Sequence, residues 1–502
     1  MSAVDSAGIA TSKVDGRVIH DETLDRILKL QRTAFLADGF PSAGVRRNRI
    51  DRLVALVLDN ADALVDAIVS DFGSKSRAAT LATEIVGSLE GIEHTRANVE
   101  KWMKPERLMR GGRLTGIRAE VVPTPLGVVG IIGPWNFPLH LVILPAAAAF
   151  AAGNRVVIKM SEVTPATSDL FAALVAARFD ESELAVVTGG VEVGAAFSSL
   201  PFDHLFFTGS PGVGKRILAA AAPNLVPVTL ELGGKNPVVV GPRTDIDRAA
   251  ERIALGRMVN GGQVCICPDY VMVPESRAEE FAAAVTATWR NRFPVVLADP
   301  EYPSCVNDAN YERVTALIDD AREKGALVRV ASPHGERLPD ARSRKIAPTL
   351  VSGVSDDMDI AQEEIFGPVL LLRTYRDLSE VVAYVNERPS PLVAYWFGED
   401  DDDFRRFVGS TRTGGVARNE FGIHMLPATA PFGGVGNSGM GAYHGRAGFD
   451  TFTHRRSVVG TDLPFMVTTS SAVPPFGVVP RLISVLVMGI SRLRSDWRLR
   501  RR

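Results

Sequence analysis

The chain is short of cysteine, with three in 502 residues. So few exclude a disulfide framework and fit a reducing, cytoplasmic setting. It also lacks an excess of one charge. A net charge of -2 leaves no basic footprint for nucleic acid. The amino-terminal MSAVDSAGIATSKVDG has no apolar core of a secretory signal. Internal repeats and long low-complexity segments are missing, which excludes repeat arrays. The apolar run LISVLVMGI, residues 482–490, falls far short of the roughly 20 residues a membrane-spanning helix needs. Pro474, Pro475, Pro480 and Arg481 are expected to block its extension upstream.

What is present is an ordinary soluble balance, 46% apolar and 23% charged, in a chain long enough for two to four domains. From residue 126 to 241 the pattern is strand, turn, helix, repeated. GVVGII, RVVIKM, LAVVTG, HLFFTG and NPVVVG are short apolar runs bounded by Gly, Pro or Asn, with Ala-rich stretches between them. A second alternating block spans about 245 to 415, with YVMVP, LVRVAS, PVLLLRTY and PLVAYWF as strands. Continuous apolar strands are those of buried parallel sheets, so the fold class is α/β with two doubly wound, Rossmann-like domains. The two domains are expected to meet near Gly233-Gly234, with ligands at that junction and at the carboxyl ends of strands.

Several short stretches carry chemistry, each with a plainer structural alternative. In PWNFP, Asn136 stands at a strand end, where an amide can donate to a developing oxyanion or merely cap a turn. In IKMSE, Lys159 and Glu162 can hold the hydroxyls of a ribose or form an ordinary helix start. FTGSPGVGK follows a strand and opens a helix. Its backbone amides suit a phosphate, although the spacing of Gly209 and Gly214 is not GxGxxG. A literal GxGxxG at Gly434, Gly436 and Gly439 follows no apolar strand, so it reads as a tight loop near the active site. In LELGGKN, Glu231 is a strand-end carboxylate able to act as a general base on water. In QEEIFGPV, Glu363, Glu364 and Phe366 can serve a ribose and an aromatic ring, or simply make a turn. NGGQVCICPDY holds Cys265 and Cys267 one residue apart. A metal clip, a redox pair and one working thiol are the alternatives, and a disulfide across one residue would be strained.

In this order PWNFP, KMSE, FTGSPGVG, ELGGKN, GQVC and EEIFGPV resemble the aldehyde dehydrogenase superfamily, over residues 24 to 457. CPDY, PFGGVGNSGMGAYHG and GFDTFTHRRSV look like its class 3 branch. QRTAFLADGFPSAGVRRNRIDRL looks most like the coniferyl aldehyde dehydrogenases within that branch. The resemblance implies Cys265 as nucleophile, Glu231 as general base, and Asn136 with the Cys265 backbone amide as oxyanion hole. It implies cofactor contacts at Trp135, Lys159, Glu162, Gly209, Ser210, Gly214, Glu364 and Phe366, and no metal. Lys159 and Glu162 would hold the adenosine ribose, and Gly209 and Gly214 would flank the pyrophosphate. Glu364 would hold the nicotinamide ribose, with Phe366 beside the ring.

The implied reaction is oxidation of an aldehyde to its acid with NAD, through a cysteine thiohemiacetal and a thioester. NADP is the alternative, because Glu162 repels a 2′-phosphate while Lys159 can meet one. Glu231 favours hydrolysis, since members that pass the acyl group to coenzyme A characteristically lack it. The expected substrate is coniferyl or a related aromatic aldehyde. A medium or long-chain fatty aldehyde is the alternative, and a silent relative kept for binding is the rival of another class.

The implied domains are NAD-binding (1–106 and 126–233) and catalytic (234–435). Bridging strands (107–125 and 449–460) would make a homodimer, and an apolar and basic tail (471–502) follows. Within the tail Leu482, Val485, Leu486, Gly489, Leu493 and Trp497 share a helical face. That face suits either a membrane surface, giving a cytoplasmic protein peripheral to the membrane, or packing on protein. Two positions depart from the pattern. Cys267 replaces a small residue, with peroxide sensitivity as its expected consequence. Arg418 is expected at the substrate entrance or in a surface salt bridge.

Overall fold

The computed structural model describes residues 22–109, 116–464 and 477–500, with single positions at 468, 473 and 474. The amino-terminal stretch 1–21, Arg113, and Pro475, Arg501 and Arg502 of the expected tail lie outside these. The chain divides into two compact units, 1–103 with 124–454, and 104–123 with 455–502.

The strands in chain order are β1 (Glu106–Arg107), β2 (Ile117–Pro125), β3 (Val128–Ile132), β4 (Arg155–Lys159), β5 (Leu184–Val187), β6 (His204–Thr208), β7 (Val228–Glu231) and β8 (Asn236–Val240). There follow β9 (Pro268–Pro274), β10 (Leu327–Val330), β11 (Thr349–Ser352), β12 (Val369–Tyr375), β13 (Val393–Phe397), β14 (Gly415–Arg418), β15 (Gly439–Met440) and β16 (Thr453–Thr461).

The first unit holds two sheets. One has the order β15-β7-β6-β3-β4-β5, parallel except where β15 pairs antiparallel with β7. The other has the order β10-β11-β12-β9-β8-β13-β14, parallel except for β10. Every residue of β3, β4, β6, β8 and β13 is buried. That is why these strands read as unbroken apolar runs: helices cover both faces of a parallel sheet. The helix His140–Ala152 is buried at every position, so it is apolar all round rather than amphipathic. NPVVVG, which continues the first alternating run of sequence, belongs instead to the second sheet as β8.

The second unit contains the three-stranded sheet β1-β2-β16 and the helix Val478–Leu499. That helix starts before Pro480, because a proline in the first turn removes no intrahelical hydrogen bond. The expected block at Pro480 is therefore absent. No helix among the described residues is long and apolar enough to cross a membrane.

Candidate active site

Four strand ends of the six-stranded sheet make one wall of a cleft. Trp135 and Asn136 follow β3, Lys159 and Glu162 end and follow β4, Gly209 and Ser210 follow β6, and Glu231 ends β7. The facing wall comes from segments that enter strands rather than leave them. Cys265 precedes β9, Glu364 and Phe366 precede β12, and Arg388 precedes β13. These residues line a single cleft of about 1090 Å³. Ligand contacts at carboxyl ends therefore hold for the first sheet only. In the second sheet the cleft lies at the amino ends, and the strands run away from it.

Gly214 stands apart from the other expected pyrophosphate contacts. It does not line the cleft, and a Cβ there would come within 2.8 Å of Leu232 Cδ2. Its missing side chain lets helix Pro211–Ala221 lie close to the sheet, which is a packing role. Ser210 caps that helix, its Oγ accepting from Val213 N at 3.4 Å, and with Gly209 it does face the cleft.

The nucleophile segment begins with three consecutive residues of positive φ: Asn260 (50°), Gly261 (64°) and Gly262 (78°). At Gly262 a Cβ would sit 2.1 Å from the Gly367 carbonyl oxygen, so only glycine fits. Gln263 then locks the turn. Its Nε2 donates to Asn260 O (2.9 Å) and Ser304 O (3.1 Å), and its Oε1 accepts from Val306 N (3.0 Å). From the other side Asn236 Nδ2 donates to Cys265 O (2.7 Å) and Cys267 O (3.0 Å). Tyr395 Oη donates to Ile266 O at 2.7 Å. The backbone around Cys265 is thus fixed on both sides, while its thiol keeps partial access to the cleft. Burial pushes that thiol far above its usual range, and the carboxyls of Glu364 and Glu231 push it further.

Cys267 faces the other way. Its Sγ, 2% exposed at residue level, donates to Gly256 O (3.5 Å) and Arg257 O (3.7 Å). All three cysteines are free. The core thus turns the Cys267 thiol away from the cleft, and no disulfide joins it to Cys265.

Asn136 is tied to the same segment: Nδ2 donates to Gln263 O (3.0 Å), and its carbonyl accepts from Asn260 Nδ2 (3.2 Å). Glu231 is 3% exposed, and neither carboxyl oxygen has a hydrogen-bond partner among the described residues. Burial therefore raises its pKa well above the usual carboxylate range. Buried polar atoms in native proteins are nearly always paired, so an orphaned carboxyl marks a group kept for a ligand or for chemistry.

The rest of the cleft has the parts for a dinucleotide. Lys159 Nζ meets Glu162 Oε2 at 2.9 Å. Glu364 leans on Gly233, where a Cβ would come within 2.3 Å of its Oε2. Burial raises Glu364 to about 8, opposed by the Gly234 amide, Lys235 and Arg257. Phe366 meets Trp135 edge-on, with ring centroids 5.4 Å apart.

The loop under Glu364 and Phe366 is pinned by Arg313, which lies in no quoted motif, and by Lys235 of LELGGKN. Arg313 donates to Glu364 O (3.2 Å) and Ile365 O (2.7 Å). Lys235 pairs with Asp269 and donates to Ile360 O (2.8 Å) and Glu363 O (2.7 Å). Asn236 stood in plain view as the last residue of LELGGKN. A polar residue opening an apolar strand was the available signal.

Arg418 does not line the cleft, and among the described residues it forms no salt bridge. It donates to Gly398 O at 3.0 Å and lies 5.9 Å from the Phe404 ring. The loop with Gly434, Gly436 and Gly439 does approach the site, since Gly439 pairs with Glu231 and Asn437 lines the cleft.

Comparison with known proteins agrees with this geometry. Residues 17–458 match the model of the aldehyde dehydrogenase family. A coniferyl aldehyde dehydrogenase of Pseudomonas sp. is 44% identical over 94% of this chain and 98% of its own. A rat aldehyde dehydrogenase, dimeric NADP-preferring, is 37% identical over 86% of this chain and 93% of its own. The substrate-bound structure of Staphylococcus aureus AldH superposes with a TM-score of 0.85 at 35% identity, covering 92% of this chain and 99% of that one. With a thiol, an orphaned carboxyl and an amide gathered at one cleft, and the match running nearly end to end, this chain belongs to the aldehyde dehydrogenase family.

Proposed function

We propose that the protein oxidises an aromatic aldehyde, coniferyl aldehyde or a near relative, to the free acid with NAD. The observation that carries the reading is the convergence of Cys265, Asn136 and the unpartnered Glu231 on one cleft. The 44% identity to a named coniferyl aldehyde dehydrogenase supports the substrate.

The cleft residues suit a dinucleotide. Lys159 and Glu162 would hold one ribose, Gly209 and Ser210 the pyrophosphate at a helix start, and Glu364 the second ribose beside Phe366 and Trp135. When bound, the nicotinamide supplies the two-electron acceptor that turns a thiohemiacetal into a thioester.

Cys265 Sγ, as thiolate, forms a bond to the carbonyl carbon while the carbonyl π pair moves to oxygen. The Asn136 amide and the Cys265 N–H donate to that oxygen, and losing one such donor costs about 10²–10³ in rate. Burial and the carboxyls of Glu364 and Glu231 oppose the Cys265 thiolate before substrate enters. In the second half Glu231 takes a proton from water, the water oxygen attacks the thioester, and the C–S bond breaks to free Cys265. A carboxyl whose pKa is raised by burial is a stronger base once it is ionised.

We further propose a homodimer. β16 is an edge strand whose residues from Arg455 to Thr461 are exposed within the single chain, and open edges invite pairing. The 37% identical rat relative is named as dimeric and NADP-preferring, which also supports NADP as the alternative acceptor. A second substrate reading, a fatty aldehyde met at a membrane surface, rests on helix Val478–Leu499. Its Leu482, Val485, Leu486, Leu493 and Trp497 are all exposed, and Arg481, Arg492, Arg494 and Arg498 stand among them. Comparing kcat/KM for coniferyl aldehyde and a long-chain alkanal decides. A ratio favouring the alkanal would replace the aromatic reading.

A further inference from the structure

One cluster of buried charge has no part in the chemistry above. Lys75 and Glu84 are 5% and 0% exposed. Glu84 lies in a π-helical turn, Leu81–Val86, a distortion that recurs at functional sites. Its Oε2 accepts from the backbone N–H groups of Leu139 (3.1 Å) and His140 (2.9 Å). These amides open helix His140–Ala152, where negative charge is favoured. Its Oε1 has no hydrogen-bond partner, and neither has Lys75 Nζ. The Lys75 ammonium lies instead over the rings of Phe72 (4.1 Å) and Phe137 (5.4 Å). Burial pushes Lys75 down to about 8 and Glu84 up to about 7, each opposed by the other's charge. Ser88 Oγ meets both the Glu84 carbonyl (2.7 Å) and His140 Nδ1 (2.8 Å).

Burying a lysine and a glutamate is costly, and apolar side chains of similar volume often fill such space at no loss of stability. The position of the pair gives it another use. Every partner it meets belongs to the turn that carries Asn136 or to its support. Lys75 covers Phe137, Glu84 holds Leu139 and His140, and Phe72 lies 6.3 Å from Trp135. On its other side the turn is tied to the nucleophile segment through Gln263 O and Asn260 Nδ2. Asn136 thus sits between two clamps, one from the nucleophile loop and one from residues 72–88.

We propose that Glu84, with its charge offset by Lys75, is a positioning residue for the oxyanion hole. It fixes the turn 134–140 so that the Asn136 amide meets the developing oxyanion. Lys75, seated over the Phe137 ring, supplies the opposing charge. The proposal rests on reading Asn136 as an oxyanion donor, and the test separates the two.

The full-length variants Asn136→Ala, Glu84→Ala and Glu84→Gln are compared with wild type. The first readout uses no nicotinamide: the concentration of coniferyl aldehyde that protects Cys265 from iodoacetamide. The second is kcat against KM for NAD in the complete reaction. Asn136→Ala is expected to weaken protection and to lower kcat by about 10²–10³. Glu84→Ala is expected to weaken protection and kcat roughly tenfold to a hundredfold, with KM for NAD within about twofold, as for an effect confined to the oxyanion. Glu84→Gln still presents an oxygen to both amides and is expected to recover most of the loss.

If Asn136→Ala changes neither readout, the oxyanion assignment fails and this proposal falls with it. If Asn136→Ala is impaired while Glu84→Ala is not, the positioning role alone is overturned, as it is if Glu84→Gln is no better than Glu84→Ala. Should Glu84→Ala not fold, a cycle of Lys75→Met, Glu84→Gln and the double variant decides. Better protection in the double variant than in Lys75→Met supports the pair, and equal or worse protection overturns it.

Discussion

Asn236 Nδ2 donates to the carbonyl of Cys265 at 2.7 Å, so the first residue of β8 holds the backbone of the nucleophile. The same amide reaches Cys267 O at 3.0 Å, and its Oδ1 accepts from Val393 N at 3.1 Å. One side chain therefore joins β8, the nucleophile segment and β13. Asn236→Ala orphans two buried carbonyls and one N–H, at roughly 1–3 kcal/mol for each group left unpaired. The expected outcome is a lower urea midpoint together with a lower kcat. Asn236→Asp, which turns a carboxylate oxygen on both carbonyls, is expected to be at least as impaired as Asn236→Ala. An unchanged kcat in a folded Asn236→Ala would remove the positioning role.

Glu231 predicts a separation of half-reactions. Glu231→Gln is expected to keep a first-turnover burst of reduced nicotinamide while steady turnover falls about 10²–10⁴-fold. Burial holds the folded-state pKa above the unfolded value. The folded chain therefore retains a proton that the unfolded chain has lost, and the wild type loses stability as pH rises above the ordinary carboxylate range. The Tm advantage of Glu231→Gln should widen from pH 5 to pH 8. The same shift makes deacylation speed up with pH in the wild type. A Glu231→Gln that loses the burst as well would place Glu231 in the first half-reaction.

Glu162 tests cofactor choice. Its carboxylate is 2.9 Å from Lys159 Nζ, and on the proposed reading it would meet a 2′-phosphate. Glu162→Gln removes a like charge and leaves Lys159 to meet the phosphate. The ratio of kcat/KM for NADP to that for NAD is expected to rise about tenfold, on the order of 1.4 kcal/mol. A ratio that stays put would move discrimination elsewhere.

Much of this was legible in the sequence, for a physical reason. β3, β4, β6, β8 and β13 are buried along their whole length, so their composition announces them. Motif order named the cleft residues, because the chemistry needs those side chains at strand ends. What stayed hidden depends on direction and on long-range contact. Nothing local shows that Gly214 turns toward Leu232, that Cys267 turns into the core, or that the second sheet offers its amino ends. Lys75 lies in a short loop and Glu84 in a helical stretch, and neither shows locally that it meets Phe137 or His140 more than 50 positions away.

The helix Val478–Leu499 tests the membrane reading. Deleting residues 473–502 is expected to reduce co-sedimentation with vesicles of anionic phospholipid, and the binding of the full chain should weaken as salt rises. Equal sedimentation of both proteins would end that reading.

The central claim is that Cys265 forms the covalent bond to substrate. The direct measurement is Cys265→Ala, assayed for acid formation from coniferyl aldehyde and, by calorimetry, for NAD binding. The predicted result is no acid and no rise in reduced nicotinamide, with NAD binding retained. Full turnover in that variant would contradict the account.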